Sequence, residues 1–204
     1  MVTLSKNLIY KLYYGEKLST IKLAKKLGVS EWVVLGFMRR NNIPRRSFFE
    51  ANQISFEKKQ LTFLIKNKLS IKDEKLKMAG VLLYWGEGAK LRGKNCSVDF
   101  ANSNSEMIKV FVAFLRRICG ASEHKLRVYL YCYSNQNIEI LLDYWYKVTR
   151  IPKNQFSKPY IRKDFLPEKI DKMKYGMVHI RYADKKLLYQ IDAWIKEYYK
   201  MLGV

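Results

Sequence analysis

Cysteine, histidine, proline and acid are all scarce in this 204-residue chain, and each scarcity removes a class of answers. The three cysteines, Cys96, Cys119 and Cys132, sit in apolar surroundings, with neither disulfide pairing nor zinc spacing, so buried reduced thiols are expected. The two histidines, His124 and His179, are far apart in sequence. No glycine-rich nucleotide loop, HxxH spacing or Ser/His/Asp arrangement accompanies them. No apolar run approaches the ~20 residues that cross a bilayer, and the opening Met1-Val2-Thr3-Leu4-Ser5-Lys6 lacks the layout of a secretory signal. A cytoplasmic chain with no membrane partner is therefore expected. No segment is of low complexity, and 14% aromatic residues argue against extended disorder.

What the chain has in excess is positive charge. Thirty-nine Lys and Arg stand against 18 Asp and Glu, for a net charge of +21. Such an excess points to a polyanionic partner, nucleic acid first. Residues 1–50 carry 10 basic and 3 acidic residues, residues 51–74 carry 5 and 3, and residues 75–204 carry 24 and 12. Both ends of the chain are basic, which fits two DNA-facing surfaces better than one basic tail.

The periodicity divides the chain into a helix-turn-helix domain over 1–50, a helical linker over 51–74 and an α+β domain over 75–204. Three short helices are expected at Asn7–Tyr14, about Ser19–Leu27 and Ser30–Asn41. Phe56, Leu61, Leu64 and Ile65 have helical spacing among lysines, which predicts a connecting helix over Ile54–Leu69. Beyond it, helices are expected at Lys75–Glu87, Ser105–Cys119, Asn137–Thr149 and Asp184–Met201. Strands are expected at Asn95–Asn102, Lys125–Tyr133, Phe156–Arg162 and Tyr175–Tyr182. The fold class is α+β: an N-terminal three-helix domain, then an antiparallel sheet with helices on one face.

Two helices joined by a tight turn need small or apolar residues at fixed places, and Thr20–Arg39 supplies them. Leu23, Leu27 and Val29 are apolar, Ala24 is small where the helices approach, and Gly28 falls where the turn needs a left-handed backbone. Val34 and Phe37 point back into the small core, and Ser30 is a good N-cap. Ser30, Glu31, Trp32, Val33, Gly36, Arg39 and Arg40 face outward and would enter a major groove. Beyond them Ile43-Pro44-Arg45-Arg46 forms a stiff basic exit, with Arg45 and Arg46 within reach of the backbone or a minor groove. The alternative is a packing module that binds no nucleic acid. The run Ser19-Thr20-Ile21-Lys22-Leu23-Ala24-Lys25-Lys26-Leu27-Gly28-Val29-Ser30, with the Ile43-Pro44-Arg45 ending, resembles the helix-turn-helix of resolvase-type recombinases and mobile-element nucleases.

In the second domain the strands have two unlike faces. Lys125, Arg127, Tyr129, Tyr131 and Tyr133 alternate with Leu126, Val128, Leu130 and Cys132. His179 and Arg181 oppose Val178 and Ile180, and Lys158, Tyr160 and Arg162 share a side. A sheet that buries its apolar set under helices would expose a basic, aromatic surface suited to a DNA groove. An ordinary solvated sheet with tyrosines packed across strands is the other reading.

The nearly apolar helix ending Val81-Leu82-Leu83-Tyr84-Trp85-Gly86-Glu87-Gly88 places one carboxylate between two glycines. An acid at that end opposes the helix dipole unless a cation offsets it, so Glu87 is the candidate metal ligand and Mg²⁺ the natural ion. A Glu87 that anchors a turn by pairing with Lys90 or Arg92 is the structural alternative. The helix end, the strand Cys96–Asn102 and the run Asn102-Ser103-Asn104-Ser105-Glu106-Met107 opening a helix together resemble LAGLIDADG homing endonucleases. The resemblance implies that Glu87 is the catalytic acid and metal ligand and that Gly86 is a helix-packing position. It also implies that Lys125, Arg127, Tyr129, Lys158 and Arg181 face DNA, and strand alternation sets Tyr131, Tyr160, Arg162 and His179 on the same expected surface. Lys90 and Arg92 join this set at the end of the motif helix. Leu82 stands where the family usually has glycine, and only one motif is present. An active site would then need a homodimer through the Lys75–Glu87 helix, or a degenerate second half around Asn137–Tyr182. The expected function is sequence-specific binding of double-stranded DNA, with Mg²⁺-dependent cleavage or non-catalytic regulation as its two forms. RNA binding through Tyr129–Tyr133 is a third reading.

Overall fold

The computed structural model describes residues 3–91, 95–162 and 173–203. They form two compact units, Met1–Gln60 and Leu61–Val204. In the first, α1 (Lys6–Ile9) runs on into a wider helical turn over Tyr10–Gly15, followed by α2 (Thr20–Leu27), α3 (Glu31–Arg40) and α4 (Phe48–Lys58). Each α-helix starts at a serine, Ser5, Ser19, Ser30 or Ser47, whose hydroxyl accepts a backbone N–H of the first turn. α2 stops at Gly28, whose φ of 67° lies in the left-handed region that glycine enters without steric cost. Ile9, Leu12, Leu23, Leu27, Val34, Met38 and Ile43 meet in the core of this unit.

The expected linker helix over Ile54–Leu69 is not there. α4 begins earlier, at a capping box made by Ser47 and Glu50, and ends at Lys58. The chain then runs extended: Ser122 donates to the Thr62 carbonyl, Leu64 to that of Gly120, and Lys66 to that of Ile118. Backbone pairing to the end of another helix satisfies this stretch, so its apolar spacing did not need helical form.

The second unit contains α5 (Ile71–Glu87), β1 (Val98–Asn102), α6 (Ser105–Arg117), β2 (Leu126–Tyr133), α7 (Ile138–Thr149), β3 (Tyr160–Arg162), β4 (Met177–Tyr182) and α8 (Lys185–Met201). The architecture is mixed α+β, with strand order β1-β4-β2-β3. β4 is antiparallel to both neighbours, as expected, but β3 lies parallel to β2, so the sheet is mixed rather than wholly antiparallel. The chain reaches β3 from β2 by way of α7, the kind of crossover that lets two neighbouring strands run the same way. Alternation sends Val98, Phe100, Val128, Leu130, Val178 and Ile180 to one face, where they join Val81, Phe111, Leu115, Trp145 and Ile191 from the helices in a single core. α5 and α6 cross closely at Gly80, where an added methyl group would overlap the Phe114 ring. No helix among the described residues is long and apolar enough to cross a membrane.

Candidate nucleic-acid interface

The second sheet face is open, and the strand register sorts its side chains into rows. Asp99 on β1, Arg181 on β4 and Arg127 on β2 form the first row, and Ala101, His179 and Tyr129 the second. Met177, Tyr131 and Tyr160 form the third. Contacts tie the rows together. Asp99 accepts from Arg181 Nε at 2.5 Å through one carboxylate oxygen, and its other oxygen bonds His179 Nδ1 at 2.8 Å. The Arg181 guanidinium lies over the Tyr129 ring, 4.3 Å from its centroid, and Tyr131 packs against both His179 and Tyr160. Partial burial works against the Arg181 charge, but the Asp99 carboxylate outweighs it and holds the guanidinium above its ordinary pKa. The surface is a preformed basic and aromatic one, with Arg127 exposed at its side and Lys158, Tyr160 and Arg162 exposed around β3.

Two of the expected contacts are half-buried and bonded within the chain. Lys125 belongs to a tight turn, Glu123–Lys125, ahead of β2, and its ammonium bonds Thr62 Oγ1 and the Ala183 carbonyl, each at 3.1 Å. Arg46 folds under its own unit. Its guanidinium stacks 3.9 Å from the Tyr13 centroid and donates to the carbonyls of Tyr13 and Leu18. Both charges answer backbone carbonyls. Arg92 lies outside the described residues. Tyr133, at the end of β2, is buried.

No family model, curated protein or solved structure matches the chain.

The first unit presents a second surface. Trp32 on α3 is 83% exposed, an unusual position for the largest apolar side chain, and Val33, Arg39, Arg40 and Arg45 are exposed with it. Ser30 is the α3 N-cap, its hydroxyl oxygen accepting the Val33 N–H at 3.4 Å. Gly36, with Trp32, Leu35, Arg39 and Arg45, lines a recess of about 540 Å³. Glu31 does not face outward freely; it accepts from Thr20 Oγ1 at 2.5 Å and so locks α3 to α2.

Glu87 is exposed at the last position of α5. Lys90 turns back to the Trp85 carbonyl, so it answers the helix end, and Glu87 has no ion-pair partner among the described residues. The carboxylate borders an apolar groove of about 570 Å³ between α5 and α6, lined by Ala79, Leu82, Leu83, Gly86, Met107 and Val110, with Glu106 at the same rim. Met78 and Leu82 leave about half of their surface exposed along this face of α5. No group of three His, Cys, Asp or Glu residues that could hold a metal ion occurs among the described residues. Asp143, in the stretch where a second half-site would lie, pairs with Lys153. Cys96 is exposed, against expectation, because it precedes β1 in the loop; Cys119 and Cys132 are buried.

Sequence reading missed Asp99 and Glu106. The signal for Asp99 was its place in strand alternation, one acid on a face otherwise basic and aromatic.

Proposed function

We propose that the chain is a sequence-specific double-stranded DNA-binding protein. The observation that carries this reading is the partly exposed sheet face, where Arg127, Arg181 and His179 are interleaved with Tyr129, Tyr131 and Tyr160 in a chain of net charge +21. In this reading the open face lies along a groove, in the manner of a LAGLIDADG-type domain, and α2 with α3 acts as a helix-turn-helix. Trp32, Val33, Gly36, Arg39 and Arg40 then meet the major groove, and Arg45 meets a phosphate or the minor groove. Three unpaired thiols suit a cytoplasmic chain.

A specific observation favours cleavage as a second reading: the half-exposed apolar face of α5 ends at Glu87. Among the described residues, Glu87 and Glu106 are the only carboxylates on the groove, fewer than a magnesium site held by one chain would use. Pairing of two chains through α5 would bring a second Glu87 beside the first, and the endonuclease reading depends on it. The experiment is selection from a randomised duplex library with Mg²⁺, with EDTA, and with Glu87→Gln, sequencing bound and cut products. Enrichment of a bound motif supports the DNA reading. Metal-dependent cutting lost in the variant adds the endonuclease. Preference for single-stranded RNA over any duplex would replace both.

A further inference from the structure

We propose that Asp99 is a positioning residue that fixes Arg181 as a two-pronged donor to guanine in the major groove. The inference rests on the DNA-binding reading and adds the base read. An arginine on an open strand samples many rotamers and loses that freedom on binding. Arg181 does not have it. Its Nε is held by Asp99 at 2.5 Å, and its plane is held over Tyr129 at 4.3 Å from the ring centroid. Asp99 is itself anchored, because its other oxygen is engaged by His179 Nδ1 at 2.8 Å, and only 14% of its side chain is exposed. No second carboxylate pairs with Arg181 among the described residues. With Nε held by Asp99 and the Tyr129 side chain also within hydrogen-bonding reach of the guanidinium, the terminal nitrogens are the donors that a ligand can engage, side by side. Guanine alone among the bases offers two adjacent major-groove acceptors, O6 and N7, to match them. Adenine sets a donor beside its acceptor, and thymine a methyl group.

The same residue makes the inference testable by sign. Asp99 is an acid on a surface proposed to face a polyanion, so Asp99→Asn removes a repulsive charge. If Asp99 only tunes charge, the variant binds every duplex more tightly and keeps its base preference. If Asp99 positions Arg181, non-specific affinity holds or rises while preference at one guanine falls roughly tenfold. The experiment runs the full-length chain, Asp99→Asn and Arg181→Lys through the randomised duplex library, with circular dichroism to check folding and a scrambled duplex for non-specific affinity. Arg181→Lys keeps the charge but lacks the fork, so it should lose the same guanine; it also decides the matter should Asp99→Asn fail to fold. A motif with no guanine that depends on Arg181 overturns the inference, as does full guanine preference in Asp99→Asn. A wild-type chain that binds duplex without any sequence preference overturns the DNA-recognition reading itself, and this inference with it.

Discussion

Arg45 and Arg46 are adjacent, both basic, and both follow Pro44; nothing in their order along the chain tells them apart. The structure does. Arg45 is exposed, whereas Arg46 bridges Tyr13 and Leu18 through backbone carbonyls and covers the Tyr13 ring. Arg46→Ala should therefore destabilise the first unit by about 2 kcal/mol, from the loss of charge-assisted hydrogen bonds. Arg45→Ala should leave the melting temperature unchanged and weaken duplex binding. Thermal melts and binding isotherms on both variants check this, and equal melting losses would place Arg45 in the same scaffold. Asp73 gives a second prediction at this scale. Its buried carboxylate accepts from Lys66 at 2.7 Å, and from Ser70 Oγ and Arg117 at 2.8 Å each. The Lys66 bond first, and Ser70 next, hold its pKa well below the ordinary carboxylate range. A lowered folded pKa favours the ionised form, so the stabilisation is fully present above the unfolded pKa of about 4 and is lost as pH falls below it. Denaturation midpoints should drop steeply below about pH 4 in the wild type. Asp73→Asn should be weaker at neutral pH and show a shallower acid limb; parallel limbs would remove Asp73 from the account.

At the scale of elements, what was legible in the sequence was what caps and periodicity mark. α2, α3, α6, α7 and α8 fall within a residue or two of their expected ends, because Ser19, Ser30, Asn104, Asn137 and Asp184 cap their first turns. The strand faces were legible because alternation is strict over β4 and over β2 as far as Cys132. Three features were not. α5 starts four residues before Lys75, at a Ser70–Asp73 capping box hidden by a charged first turn. Residues 61–66 repeat apolar side chains at helical spacing but take their hydrogen bonds from the Ile118–Ser122 backbone, a partner no local pattern reveals. The parallel pairing of β3 depends on where α7 returns the chain. The two glycines of α5 carry a prediction from the same contrast. A methyl group at Gly80 meets Phe114, whereas one at Gly86 meets nothing within 4 Å. Gly80→Ala should cost about 1–3 kcal/mol by overpacking. Gly86→Ala should be neutral or stabilise the chain by up to about 1 kcal/mol through helix propensity. Sedimentation on the Gly86 variant, and on Leu82→Arg, then reports on α5 pairing. If two chains pack through this face, both variants should become monomeric without losing stability; an unchanged mass would leave the groove outside any dimer.

For the whole molecule, the count of basic residues overstates how many are placed to meet a polyanion. Lys66 and Arg117 pair with Asp73, Arg116 with Glu123 and Lys153 with Asp143, while Lys125 and Arg46 answer backbone carbonyls. Part of the basic set thus holds the fold together. Exposed cations on the two proposed surfaces with no carboxylate partner among the described residues include Arg39, Arg40, Arg45, Arg127 and Lys158, with Arg127 also giving its Nη1 to the His124 and Leu126 carbonyls. If these five sit on phosphates, about 0.9 counterion is released per contact, and the slope of log affinity against log salt is near −4.5. Raising salt from about 50 to 200 mM should then weaken binding by roughly 500-fold. Arg127→Ala and Arg39→Ala should each reduce the slope by about 1, whereas Arg46→Ala, if it folds, should leave it unchanged. The division is the test: a slope near −1, or one insensitive to both surface arginines, would mean that the charge is solvated surface and that DNA is not its partner. A slope set by one unit's arginines alone would assign phosphate contact to that unit and leave the other with base readout or a different partner.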